Sequence, residues 1–307
     1  MRKEIQLYEY QKDMLRQIED AFVTHQSVMV QMPTGTGKTV LISEVVKREE
    51  RREKNPCVWI VVHRRELVDQ IKETLERRLG TSLDAEREKS NVIEVFSIQW
   101  LSRHYQELEE RPSLIVIDEA HHALAKTYAE MMNAYPEAKK LGVTATPCRL
   151  NKRGFTDLFE VLLTSHSISN FIKDGYLSDF DYVSLNPSSE DQKKIDRMSK
   201  RATDGDYSIA EMQDVLDCKP SIGRLYQTIK EFASGKKGIV YAINIEHAEH
   251  IAAYYREQGI EAVAISSKTP LAERKSIIEK FKGTSIDSKP NYASLSLSEP
   301  MERKNDA

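Results

Sequence analysis

The feature that most constrains the fold is a series of short apolar runs in the first 185 residues. They are SVMVQ (27–31), CVWIVV (57–62), NVIEVF (91–96), LIVID (114–118) and KLGVTA (140–145). Each has strand length, and little polar residue interrupts the apolar character. That pattern fits strands covered on both faces, as in a parallel sheet, better than strands with one wet face. Parallel neighbours need crossover connections, and the intervening segments supply them. Leu7, Tyr10, Met14, Ile18 and Phe22 recur at three- and four-residue spacing and so share one helical face. Residues 64–79 and 97–108 also read as helices. The expectation is an α/β fold with a doubly wound parallel sheet.

The pattern breaks at 186–218, where NPSSEDQKKIDRMSKRATDGD is polar and rich in turn residues, and a linker or exposed insertion is expected. Order returns with a helix opened by Pro220, a strand GIVYA (238–242), a helix over 245–258, a strand EAVAI (261–265) and a helix ending near Phe281. A second, smaller βαβα unit is therefore expected over 219–283. Residues 284–307 lose helical periodicity and read as an aberrant or disordered tail.

Two segments carry chemistry. MPTGTGKT (32–39) follows an expected strand and opens an expected helix. A phosphate loop needs that setting, because backbone N–H groups and the positive helix end then face the anion. Thr34, Gly35, Thr36 and Gly37 line the loop. Lys38 is placed to reach the β- and γ-phosphates, and Thr39 to hold Mg²⁺. The strict pattern has glycine where this chain has Met32. VIDEAHH (116–122) ends another expected strand. Asp118 at that carboxyl end would bind Mg²⁺, and Glu119 would orient and deprotonate the attacking water. Adjacent carboxylates alone are common at strand ends; beside a phosphate loop they supply the metal half of a phosphoryl-transfer site.

Composition excludes other classes. The net charge of −3 gives no global attraction to a polyanion, so any nucleic-acid surface must be local. Cys57, Cys148 and Cys218 are far apart and form no CxxC pair, which argues against a metal cluster and fits a reducing cytoplasm. No apolar run is long enough to cross a bilayer, and none resembles a secretory leader.

MPTGTGKT, DEAH (118–121) and VTATP (143–147), in that order, resemble the superfamily-2 helicases and translocases of the DEAH-containing type, and the resemblance covers roughly residues 5–282. LYEYQ (7–11) is similar to the family's glutamine motif, VHRREL (62–67) to its motif Ia and FSIQWL (96–101) to its motif Ib. The resemblance implies a RecA-like domain over 1–185, a linker over 186–218 and the start of a second RecA-like domain over 219–283. It implies ATP and Mg²⁺ as cofactors and a nucleic-acid partner, with DNA preferred to RNA. Gln11 would read adenine. His121, Thr144 and Thr146 would couple nucleotide state to the strand. Arg64, Ser97 and Gln99 would touch the strand's phosphates, contacts that carry no sequence information. The basic stretch CRLNKRGF (148–155) could add to them. The family also tolerates a residue other than glycine at the position of Met32.

The family's second domain continues into motifs V and VI, the latter a Q-x-x-G-R-x-x-R pattern. Residues 284–307 contain no match, and Arg303 stands without the flanking glycine or glutamine. The expectation is a helicase core impaired by the missing motifs. The alternative is an ATP-binding switch or accessory motor subunit of a restriction or repair complex, working with a nuclease or other partner protein. Oligomeric state is not legible.

Overall fold

The structure is a computed structural model that describes residues 6–63, 66–80, 83, 92–122, 126–147, 158–184, 189–198, 207–283 and 291–295. Arg64, Cys148, the basic stretch 148–155 and Arg303 lie outside them. The chain divides into two compact units, residues 1–180 and 181–307.

The first unit is a RecA-like α/β domain built on a six-stranded parallel sheet. In chain order its strands are β1 (Ser27–Gln31), β2 (Cys57–Val62), β3 (Val92–Ser97), β4 (Leu114–Asp118), β5 (Lys139–Thr144) and β6 (Val161–Thr164). In space they run β3-β2-β4-β5-β1-β6, every neighbouring pair parallel. The sixth strand, VLLT, was not among the expected runs: it is short and only half-buried at the sheet edge.

Alternate residues of the strands feed two separate cores, as the pleat requires. Val28, Val30, Val58, Ile60, Val116 and Val143 face a core shared with α1 (Glu9–Thr24), α2 (Lys38–Arg52) and α3 (Glu66–Leu79). Met29, Trp59, Val61, Ile115 and Ile117 face a second core shared with α4 (Ile98–His104) and α5 (Lys126–Ala134). Helices on both faces explain why β2 is apolar at every position: all six of its residues are buried. The expected helix over 97–108 stops earlier, at His104, and Ser97 is its N-cap, its hydroxyl accepting the Trp100 N–H at 3.4 Å.

After β5 the chain returns to β6. Just before that strand the Glu160 carboxylate accepts the N–H groups of Gln26 (2.6 Å) and Ser27 (3.1 Å), and so fixes where β1 begins. Then comes α6 (Ile168–Lys173), whose Phe171 is fully buried in the first core.

The second unit holds a three-stranded parallel sheet of β7 (Gly238–Tyr241), β8 (Glu261–Ile265) and β9 (Asn291–Leu295) in the order β7-β9-β8. Two strands, at 238–242 and 261–265, were expected from the sequence. The structure instead pairs residues 291–295, within the stretch read as an aberrant tail, with both of them. The face carrying Val240, Ala262 and Ala264 packs on α9 (Lys219–Phe232) and α10 (Ile245–Glu257) through Ile222, Ile251, Ala252 and Tyr255. The helix α11 (Leu271–Gly283) leads towards β9.

The stretch 186–218, expected as a linker, carries two short helices, α7 (Glu190–Asp196) and α8 (Ile209–Leu216). The polarity of its segment hid α7, and each helix is tied by a charged residue to a partner far along the chain. The buried Asp191 accepts Arg224 Nε at 2.7 Å, and this guanidinium holds the carboxyl below its usual range. Asp217, which caps the C-terminus of α8, meets His250 Nδ1 of α10 at 2.9 Å.

Two predictions follow from packing and charge. A Cβ on Gly142 in β5 would lie 2.6 Å from the Phe159 ring and 2.9 Å from the Ala120 Cβ. Gly142→Ala should therefore lower stability by about 1–3 kcal/mol through overpacking, and Phe159→Leu in the same chain should restore part of the loss. Unchanged denaturation midpoints would contradict this packing. In the second unit, hydrogen bonding to Asp217, opposed by partial burial, raises the His250 pKa, with Glu246 and Glu249 adding to the rise. A raised folded-state value means a contribution fully present below the ordinary histidine pKa and lost as pH climbs through the raised one. The stability difference between wild type and His250→Gln should accordingly be largest in mild acid and shrink on the alkaline side. A difference that grows with pH would overturn the assignment.

Candidate nucleotide site at the carboxyl edge of the sheet

The carboxyl ends of β4, β5 and β1 lie side by side, since β5 pairs with both neighbours: Asp118 is opposite Val143, and Thr144 is opposite Gln31. This edge is where open α/β sheets bind ligands. Met32 continues the strand. Its N–H donates to the Thr144 carbonyl at 2.9 Å, and its side chain is fully buried in the first core. The residue that departs from the strict loop pattern thus anchors the loop's entry.

Beyond Met32 the chain turns over Pro33–Gly37 and enters α2. Gly35 and Gly37 have φ of 86° and 84°, the left-handed region that glycine enters freely. Gly37 is the N-cap of α2 and offers no side chain to the helix's first N–H groups, which leaves those donors for an anion. Thr34 and Gly35 are exposed; Thr36 is buried. The Thr36 hydroxyl donates to the Pro33 carbonyl at 2.7 Å, which closes the turn. Its carbonyl accepts the Tyr10 hydroxyl at 2.9 Å and Gln11 Nε2 at 3.3 Å. Gln11 Oε1 in turn accepts the Tyr8 N–H at 3.1 Å. Helix α1 therefore holds the loop from below. A Cβ on Gly37 would lie 2.6 Å from Gln11 Nε2, so a larger residue there would displace the Gln11 amide and strain the left-handed turn. Gln11, expected to read adenine, is buried with both amide atoms engaged in positioning the loop.

Lys38 opens α2 with its ammonium 3.6 Å from Glu119 Oε1. Glu119 has φ of 49°, and is the non-glycine residue with positive φ among those described. Such strain is usual at functional sites, at a cost on the order of 1–3 kcal/mol. The turn aims Glu119 back over the loop, and its other oxygen lies 3.4 Å from His121 Nδ1. Asp118 accepts the Glu119 N–H at 3.1 Å. Burial raises the Asp118 pKa, and the charge of Glu119 raises it further, against the pull of that N–H and of Lys38. A carboxylate so poorly solvated gains from a cation beside it. Thr39 sits half-buried in the first turn of α2. The uncapped helix end, the two left-handed glycines and this desolvated carboxylate fit a triphosphate with Mg²⁺: the loop and Lys38 for the phosphates, Thr39 and Asp118 for the metal.

The expected coupling residues also meet. His121 Nδ1 lies 2.9 Å from the Thr144 hydroxyl, which accepts the Thr146 N–H at 3.1 Å. Glu119, His121, Thr144 and Thr146 thus form a continuous polar path from the loop to the end of β5. The expected phosphate readers lie further along the same edge. Ser97 is buried as a helix cap. Gln99 is exposed and donates to the His63 carbonyl at 2.6 Å, tying α4 to the end of β2. Arg64 is outside the described residues. The sequence reading missed the loop contact of Tyr10, which looked like a core position; its helical spacing was legible, and the bond of its hydroxyl was not.

Residues 4–149 match the family model described as "Type III restriction enzyme, res subunit". A Lactococcus phage "51.5 kDa protein" is 34% identical over 84% of this chain and 53% of its own length. A Saccharomyces cerevisiae protein provisionally named ATP-dependent helicase IRC3 is 27% identical over 90% of this chain and 42% of its own. The "DNA 3'-5' translocase XPB2" of Sulfurisphaera tokodaii is 22% identical over 93% of this chain and 60% of its own. The chain spans about half the length of the curated relatives it matches. Together these matches support a superfamily-2 helicase-type domain at the N-terminal end of the chain.

Proposed function

We propose that the chain is the motor core of an ATP-dependent helicase or translocase that steps along nucleic acid, DNA in preference to RNA. The observation that carries this reading is the convergence, on one sheet edge, of an uncapped loop–helix junction, the Lys38–Glu119 pair and the Glu119–His121–Thr144 path. A site that only stored nucleotide would need the first of these and not the last.

The roles divide by chemistry. The loop N–H groups and Lys38 bind the phosphates, and Lys38 leaves Glu119 as it does so. Glu119, freed from that ion pair, accepts a proton from the attacking water and orients it. Bound Mg²⁺, held by Thr39 and Asp118, supplies charge neutralisation on the phosphates. His121 and Thr144 sense whether Glu119 faces Lys38 or the water, and Thr146 passes that state to the strand. Arg64 and Gln99 grip the strand's phosphates, Ser97 caps the helix that carries Gln99, and Gln11 places the base-side end of the loop. The RecA-like ATP-binding domain is assigned to 1–185 and the beginning of a second such domain to 219–283. Cys57 and Cys218 are free thiols, which suits a cytoplasmic setting. A second reading, the motor subunit of a restriction or repair complex with a nuclease partner, is favoured by the res-subunit match over residues 4–149. Among the described residues no helix is long and apolar enough to cross a membrane.

Two tests address the reading. Lys38→Ala should weaken ATP·Mg²⁺ binding in calorimetry by about 10- to 100-fold, the worth of a charge-assisted contact. Glu119→Gln should keep the binding and lower turnover by about 10²- to 10⁴-fold, as for loss of a general base. Equal affinity in Lys38→Ala removes the phosphate-loop assignment. Separately, binding of single-stranded oligonucleotides should weaken with salt, with a log–log slope of about −0.7 for each phosphate neutralised, and scrambled sequences should bind alike. Salt-insensitive or strongly sequence-selective binding would contradict a motor that reads backbone.

A further inference from the structure

A row of aromatic rings stands at the carboxyl end of the edge strand β3. Phe96 and Trp100 are stacked with ring centres 5.2 Å apart and planes 6° from parallel. Trp100 and His104 are stacked at 4.5 Å and 13°. The three recur at four-residue intervals, so the row follows the first turns of α4. Phe96 packs on the second core, and Trp100 covers it. The row then extends beyond what the core uses. Trp100 is 43% exposed, whereas the chain's other tryptophan, Trp59, is 0% exposed. His104 is locked into the stack because its Nδ1–H donates to the Trp100 carbonyl at 2.8 Å, so its ring is fixed before any ligand arrives. Exposed Arg103 neighbours it in the last turn of α4.

Trp100 immediately follows Gln99, which joins α4 to the end of β2. The row therefore adjoins the stretch assigned above to the strand's phosphates, on the same sheet edge as the nucleotide site. Parallel, preordered rings with a flanking cation are how proteins hold unstacked bases without reading sequence, since every base offers a π-face.

We propose that the Phe96–Trp100–His104 row is a base-stacking platform for single-stranded nucleic acid, with a base extending the stack at His104 and along the exposed part of Trp100, and the phosphates passing towards Gln99. The proposal rests on the nucleic-acid reading above. It adds to that reading a foothold on the bases themselves. A duplex, whose bases are already stacked on each other, gains nothing from the row, so the platform favours a single strand.

The test uses the full chain, oligo(dT), and an abasic oligonucleotide of the same length and charge. Oligo(dT) should quench the tryptophan emission, the abasic strand should bind without quenching, and Trp100→Tyr should lose most of the quenching because Trp59 is buried. Trp100→Ala should bind oligo(dT) about 5- to 100-fold more weakly, with Trp100→Tyr retaining most of the affinity. The abasic strand should bind wild type and Trp100→Ala alike, and ATP affinity should not change. His104→Ala, at the exposed end of the row, gives the same comparison if Trp100→Ala fails to fold, and should weaken oligo(dT) binding alone. Salt-sensitive binding of both strands with no quenching and no effect of either variant overturns the platform and leaves the backbone-binding motor standing. Absence of any oligonucleotide binding, with ATP still bound, overturns both.

Discussion

The ladder between β1 and β5 is the contact on which the rest of the first unit depends. It runs from Ser27 opposite Lys140 to Gln31 opposite Thr144 and is extended by the Met32 N–H to the Thr144 carbonyl. That one added bond places the entry of the phosphate loop beside the threonine that touches His121. A slip of one residue would turn Val28 and Val30 to the wrong face and move the loop away from Glu119. The register is protected on both sides, because Val28, Val30 and Val143 fill one core and Met29 the other.

The site trades local comfort for geometry. Glu119 occupies a left-handed backbone conformation, and Asp118 is a poorly solvated carboxylate. Both are unfavourable where they stand, and both are held by bonds made nearby: the Glu119 N–H to Asp118, Lys38 to Glu119, and His121 to Thr144. In the function proposed above, binding phosphate takes Lys38 away from Glu119. The pair is thus a contact the ligand replaces, which gives the loop a way to report that it is filled.

What the sequence disclosed follows from how each element is stabilised. Strands wrapped on both faces are apolar throughout, and β1, β2, β4 and β5 could be read within about a residue of their ends. The edge strand β6 is short and half-wet and left no such trace. The helices α7 and α8 were hidden because their attachments, Asp191 to Arg224 and Asp217 to His250, each join residues 33 apart in the chain, and no local pattern announces a partner at that distance. At the site, the convergence of Lys38, Asp118 and Glu119 was legible because a loop–helix junction and a carboxylate pair, each following a strand of one parallel sheet, end on the same edge. The grip of Tyr10 on Thr36 was not, since a helix-face tyrosine looks the same whether its hydroxyl bonds a loop or water. Trp100 lay inside a quoted motif, and only the ring geometry distinguished it from an ordinary core aromatic.

The position of β1 between β5 and β6 has a further consequence for how the protein comes into being. Within the unit Ser27–Gln31 is made early, yet its pairing partners, Lys139–Thr144 and Val161–Thr164, are made late. The Glu160 carboxylate that fixes the start of β1 arrives late as well. Such long-range pairing closes slowly compared with local contacts. Until it closes, the loop has no strand at its back and Thr144 no place beside it. Through most of the unit's synthesis the chain therefore carries the complete loop sequence without the strand pairing that sets the loop in place.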